Sequence, residues 1–212
     1  MRIELNKDLD KDVYLNFYNV VVGGVNFGEK ITNDHPEINP ENYNKYIEDF
    51  YIKHKPELLT VLADTQLCFM EIKDVLLTEL ENYFGKLEGI SKYSCFLLIF
   101  DCNPRYLEEG YFQVYYKRSY AMRKEVIAHE LTHFVFYNFC HKLGLENDQK
   151  LWELSEIFNV LFLNIESIQK NIGAEELLFY PDLQDKLLLI KKIWQKGLPA
   201  KDFILKSLAR LG

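Results

Sequence analysis

Between Val126 and Val135 the chain carries one charged residue, Glu130, set between His129 and His133 in an otherwise apolar run. The run lies inside a longer stretch of helical periodicity, from Ala121 to about Leu143, with Gly144 placed to cap it. A helix that is apolar on every side is buried by its fold, so three ionisable side chains are committed to an interior. A buried ionised glutamate is costly without a partner or a cation. At 3.6 residues per turn, positions 129 and 133 sit one turn apart and about 40° around the axis. Both imidazoles can then reach one point. Glu130 lies about 100° round from His129, beside that point rather than on it.

Two histidines and an acid in this spacing suit zinc, which takes imidazole nitrogens at about 2.0–2.1 Å. Glu130 is then placed as a base that takes a proton from water and passes it to a leaving amine. The ion lowers the pKa of that water to about 7 and polarises a scissile carbonyl. The competing reading is a core helix with two satisfied histidines and a paired glutamate; the charge-free flanks weigh against it. A third protein ligand is required, with the fourth position left for water. His141 follows His129 by twelve residues, about 120° off the ligand face, and reads as a residue near a helix C-terminus. His35 and His54 stand far upstream in polar surroundings. The metzincin pattern needs Gly three residues and His six residues after the second histidine; those positions are Phe136 and Phe139, so it is excluded.

The better source is the next apolar segment, Leu151 to Asn164, where Glu153 and Glu156 stand at i and i+3 and follow His133 by 20 and 23 positions. Glu156 lies between Leu154, Ile157 and Val160, where an unpaired carboxylate is most expensive. With these residues in view, the stretch from about Tyr93 to Asn164 resembles the gluzincin group of zinc metallopeptidases, in which a glutamate from the following helix completes the site. The spacing in thermolysin-like members points to Glu153; the Trp-x-x-Ser-Glu context of smaller relatives points to Glu156. Glu156 is the preferred ligand, with Glu153 as an alternative ligand or supporting group. The resemblance also implies that a strand before the motif helix, here Tyr111 to Tyr116, holds extended peptide by edge-strand addition. It further implies a downstream His or Tyr as oxyanion donor. No histidine follows His141, so Tyr180 takes that role, with Tyr137 and Tyr116 behind it. Asn159, one turn from Glu156, either orients a ligand or packs two helices.

Elsewhere the chain reads as α+β, mostly helical, with a small antiparallel sheet directly before the motif helix and a zincin-like arrangement overall. Helices are expected over Asp12 to Val22, ended by Gly23-Gly24, and from Asn39-Pro40-Glu41 to Lys53. A further pattern from Pro56 to Phe84 is one helix or two, and Val25 to Asn39 is a loop. Tyr93 to Phe100 and Tyr111 to Tyr116 are β-prone runs joined through a Glu108-Glu109-Gly110 turn, an antiparallel pair. One helix is expected over Asp148 to Ile168, and two shorter ones fill Glu175 to Gly212. Residues 1–90 form an N-terminal helical region and 91–212 the zincin-like catalytic region, together one compact unit.

A net charge of −7 offers no broad basic surface for nucleic acid or anionic lipid. No apolar leader opens the chain and no run spans a bilayer, while four cysteines without a C-x-x-C pair read as reduced, buried thiols; these features point to the cytoplasm. No signal for an oligomeric state is present. The sequence thus reads as a zinc-dependent peptidase acting on a peptide or protein substrate. The alternatives are a zinc protein that is inactive or acts on a non-peptide substrate, and a helical partner-binding protein. A repressor-cleaving role lacks a helix-turn-helix to support it.

Overall fold

The structure is a computed structural model that describes residues 1–22, 25–87, 89–173, 175–178 and 180–212. It is mostly helical, 65%, with a small mixed sheet, so helices carry most of the packing. The chain groups into two compact units that interleave in sequence, residues 1–69 with 89–126 and residues 70–88 with 127–212. The passages between them run within two helices and at residue 88, not through a single linker.

The first unit holds a four-stranded sheet in the order β1 (Arg2–Leu5), β4 (Ser94–Leu98), β6 (Tyr111–Tyr115), β5 (Arg105–Tyr106). A two-stranded pair, β2 (Val21–Val22) with β3 (Val25–Asn26), stands apart from it. The expected antiparallel pairing of the two β-prone runs is corrected: β4 and β6 are parallel, from Ser94 opposite Tyr111 to Leu98 opposite Tyr115. The Glu108-Glu109-Gly110 turn exists, but it joins β6 to β5, its antiparallel neighbour in the connection. The chain between β4 and β6 is just long enough to return in the same direction, near the dozen residues a parallel crossover needs.

This topology also corrects the expected open edge at Tyr111 to Tyr116. Strand β6 is interior in the sheet order, with β1 and β5 at the two edges. Its outward backbone donors are held by the chain itself: Gln113 N–H donates to the Pro104 carbonyl at 3.0 Å and Tyr115 N–H to Asn103 Oδ1 at 3.2 Å.

Strand β1 was not expected. Four alternating residues give no periodicity that stands alone, and they become a strand by pairing with β4 from Arg2 opposite Ser94 to Leu5 opposite Leu97. Helix α1 is Lys7–Phe17, earlier than read, because Asn6 caps it by accepting the Asp8 N–H. The Val20 to Val22 end of the expected helix departs into β2; Gly23-Gly24 lie outside the described residues. The expected loop at Val25 to Asn39 contains helix α2, Phe27–Asp34, capped by Asn26. Gly28, one of the residues that suggest a loop here, lies inside that helix: a Cβ there would lie 2.0 Å from the Tyr18 carbonyl oxygen, so glycine serves close approach. Helix α3, Tyr43–Lys53, ends as expected. Helix α4, Lys55–Phe84, is one helix of 30 residues; Pro56 sits in its first turn, where its missing N–H costs nothing. The core of this unit gathers Val13, Tyr14, Ile31, Ile47, Phe50, Leu58 and Phe100.

The second unit contains the end of α4, most of α5 (Tyr120–Lys142), α6 (Gln149–Leu163), α7 (Glu166–Ile172), α8 (Gln184–Trp194) and α9 (Ala200–Arg210). Phe158 on α6 is its centre: Tyr83, Phe84, Phe136, Phe162, Trp194 and Phe203 all pack rings against it. This aromatic cluster fixes α5 beside α6. Gly144 takes a φ of 76° just past α5, where the Leu145 N–H returns to the Cys140 carbonyl and closes the helix. All four cysteines are buried, and none forms a disulfide. Among the described residues, no helix is long and apolar enough to cross a membrane.

Candidate metal centre

Helix α5 delivers His129 and His133 from consecutive turns, and α6 delivers Glu156 opposite them. Leu131, Phe134, Val135 and Phe136 of the same helix are buried, as is His133, whereas the His129 side chain keeps 22% of its surface exposed. His129 Nε2 and His133 Nε2 stand 2.9 Å apart. Glu156 places Oε2 3.6 Å from the first and Oε1 3.4 Å from the second. One donor atom from each of the three residues falls within 4.8 Å of the others.

The donor set fits a small divalent cation. Ligands held at about 2.0–2.1 Å on tetrahedral directions lie about 3.3 Å from one another, close to the nitrogen–carboxylate separations here. The tautomer agrees. His129 Nδ1 meets Glu176 Oε1 at 2.8 Å, which places a ring proton on Nδ1, so that in the neutral ring the Nε2 lone pair is the one turned toward His133. Two ring nitrogens and a carboxylate facing one point require a proton or a cation between them. Burial by itself disfavours the His129 imidazolium, but Glu176, with Glu130 and Glu156, outweighs that and pushes the ring up to about 9. The carboxylates around the ring thus favour positive charge at this point.

Of the two acids on α6, the geometry brings Glu156 to the imidazoles. Glu153, also buried, turns to Lys186 Nζ at 2.6 Å. Three residues are about 60° short of a full turn, enough to send the two carboxylates to different neighbours. Glu130 is buried at 5% exposure and close enough for its charge to act on His129. Asn159 joins the helices, its Nδ2 donating to the His129 carbonyl at 3.0 Å.

The three candidate oxyanion donors differ in their surroundings. The Tyr137 hydroxyl is buried against Ser155 Oγ at 3.0 Å, and its ring stacks beside His133. The Tyr180 ring packs edge-on against Trp152, one turn before Glu156, with centroids 4.8 Å apart. Tyr116 belongs to the first unit. The remaining histidines are outside the cluster. His141 meets Asn147 Oδ1 at the end of α5, and His54 meets Glu57. His35 is in the core of the first unit at 1% exposure, not in the polar surroundings its neighbours suggested.

Glu176 is the residue that sequence reasoning missed. It stands 47 positions after His129 in an acidic, aperiodic stretch, with no spacing to tie it to the motif. Compared with protein-family models, curated proteins and solved structures, the chain matches none.

Proposed function

We propose that this chain binds one divalent cation, zinc by its donors, through His129, His133 and Glu156, and hydrolyses peptide bonds with Glu130 as the proton-transferring base. The observation that carries the reading is the convergence of both Nε2 atoms and the Glu156 carboxylate on one point. Two imidazoles and a carboxylate are the zinc-hydrolase type of set, and oxygen-only sites favoured by calcium or magnesium look different. When bound, the cation supplies Lewis acidity, polarising a carbonyl and easing deprotonation of water.

The chain's own residues supply the rest. The Glu130 carboxylate accepts a proton as water oxygen bonds to the carbonyl carbon, then returns it to the amide nitrogen as the C–N bond breaks. The gluzincin resemblance of the motif and of Glu156 supports a zincin-like arrangement in the second unit. The four buried cysteines suit a reducing compartment such as the cytoplasm.

One observation favours a second reading, cation binding without peptide turnover: the hydroxyl of Tyr137, the candidate oxyanion donor beside His133, is committed to Ser155. Glu130→Gln separates the two. Peptidase chemistry predicts that the variant retains zinc by metal analysis while turnover on a peptide library falls about 10²–10⁴-fold. Turnover equal to the parent protein ends the peptidase reading.

A further inference from the structure

Helix α6 ends at Leu163, and the next residue does more than cap it. Asn164 Nδ2 donates to the Val160 carbonyl at 2.9 Å and to the Glu176 carbonyl at 2.8 Å, while its Oδ1 accepts the Glu176 N–H at 3.0 Å. One amide therefore holds both polar main-chain atoms of a residue twelve positions away. With its backbone fixed, Glu176 has only side-chain torsions left to set, and its carboxylate reaches His129 Nδ1 at 2.8 Å, with its side chain only 14% exposed. On the main-chain side, Asn159 holds the His129 carbonyl. The helix that supplies Glu156 thus grips His129 twice, by its backbone and, through Asn164 and Glu176, by its ring.

We propose that Glu176, clamped by Asn164, is the positioning residue of this centre, and that cation binding and placement of the 175–178 segment are one coupled equilibrium. The inference rests on the cation-binding reading. A carboxylate on the far nitrogen fixes tautomer and ring plane and raises the ligand basicity of the near nitrogen; outer partners of this kind are worth about 10–100-fold in metal affinity. Coupling is reciprocal. If Glu176 tightens the cation by some factor, the cation stabilises the Glu176 contact by the same factor. Asn164 touches neither ring nor cation; apart from its bond to the Val160 carbonyl at the end of α6, its influence on the centre passes through Glu176.

That dependence gives the test. Zinc affinity is measured by chelator competition for the parent chain, Glu176→Ala, Asn164→Ala and the double variant, with folding followed by circular dichroism. Glu176→Ala is expected to bind zinc about 10–100-fold more weakly, and Asn164→Ala more weakly by a smaller factor. In the double variant, affinity should equal that of Glu176→Ala alone, because the clamp has nothing left to hold. Hydrogen exchange at the Glu176 amide should slow on zinc addition in the parent chain and not in Glu176→Gln, which also serves should the alanine variant not fold. Affinity within twofold of the parent for both Glu176 variants overturns the proposal, as do independent, multiplying losses in the double variant. A parent chain that binds no zinc overturns the centre itself, a different failure.

Discussion

Two buried histidine environments in this molecule show opposite physical designs. In the first unit His35 uses both ring nitrogens on its own chain: Nε2 donates to the Ile99 carbonyl at 2.8 Å and Nδ1 accepts from the Tyr46 hydroxyl at 2.9 Å. Phe50 and Phe100 stand edge-on to the ring. Burial drives its pKa below the usual 6.5, overcoming the Ile99 hydrogen bond and the nearby Asp34. In the second unit His129 is pushed the other way, up to about 9, because burial is outweighed by Glu176, Glu130 and Glu156. Its Nε2 faces another imidazole nitrogen instead of a donor or acceptor of fixed role. A histidine that completes a core asks for no charge; a histidine pair ringed by carboxylates asks for a cation. Burial alone does not tell them apart, since His133 and His35 are equally hidden. What their nitrogens face does.

The contrast breaks most visibly if zinc affinity at the proposed centre survives the loss of one of its ligands. His133→Ala is expected to lower zinc affinity by more than about 100-fold, beyond the range of outer partners, and Glu156→Gln to act in the same direction. His35→Ala should leave zinc affinity unchanged. Equilibrium dialysis of the three variants checks this, and retention of zinc by His133→Ala would erase the distinction.

Acidification sharpens the comparison from the other side. The His35 ring is held neutral in the folded protein, whereas the unfolded chain takes up a proton below about 6.5. Protons then favour the unfolded state, so the His35 share of stability is lost as pH falls from about 6.5 toward the depressed folded value. In metal-free buffer, the urea midpoint should drop further between pH 7.5 and 5.5 in the parent chain than in His35→Gln. Equal drops would mean that the ring is not held neutral.

The smallest effect separates the two acids of α6. Glu153→Gln loses the contact with Lys186, a partly exposed pair worth about 0–1 kcal/mol, and should keep zinc affinity unchanged. A loss of zinc comparable to that in Glu156→Gln would exchange their roles.

The sequence by itself determined the helix that carries the centre. An apolar stretch interrupted only at His129, Glu130, Thr132 and His133 can be little other than a buried helix with both imidazoles on one side. It also narrowed the third donor to two acids three residues apart. Local periodicity reports which way a side chain points from its own axis, and such facts survive folding. Tertiary structure decided the rest. Glu156 rather than Glu153 meets the histidines because Lys186 takes the latter and the aromatic cluster around Phe158 sets the rotation of α6. Glu176 enters from an aperiodic segment placed by a single Asn164 amide, a contact between residues whose separation carries no signal. Strand β1 and the parallel pairing of β4 with β6 are decided likewise, because a strand's partner and direction depend on hydrogen bonds made far along the chain.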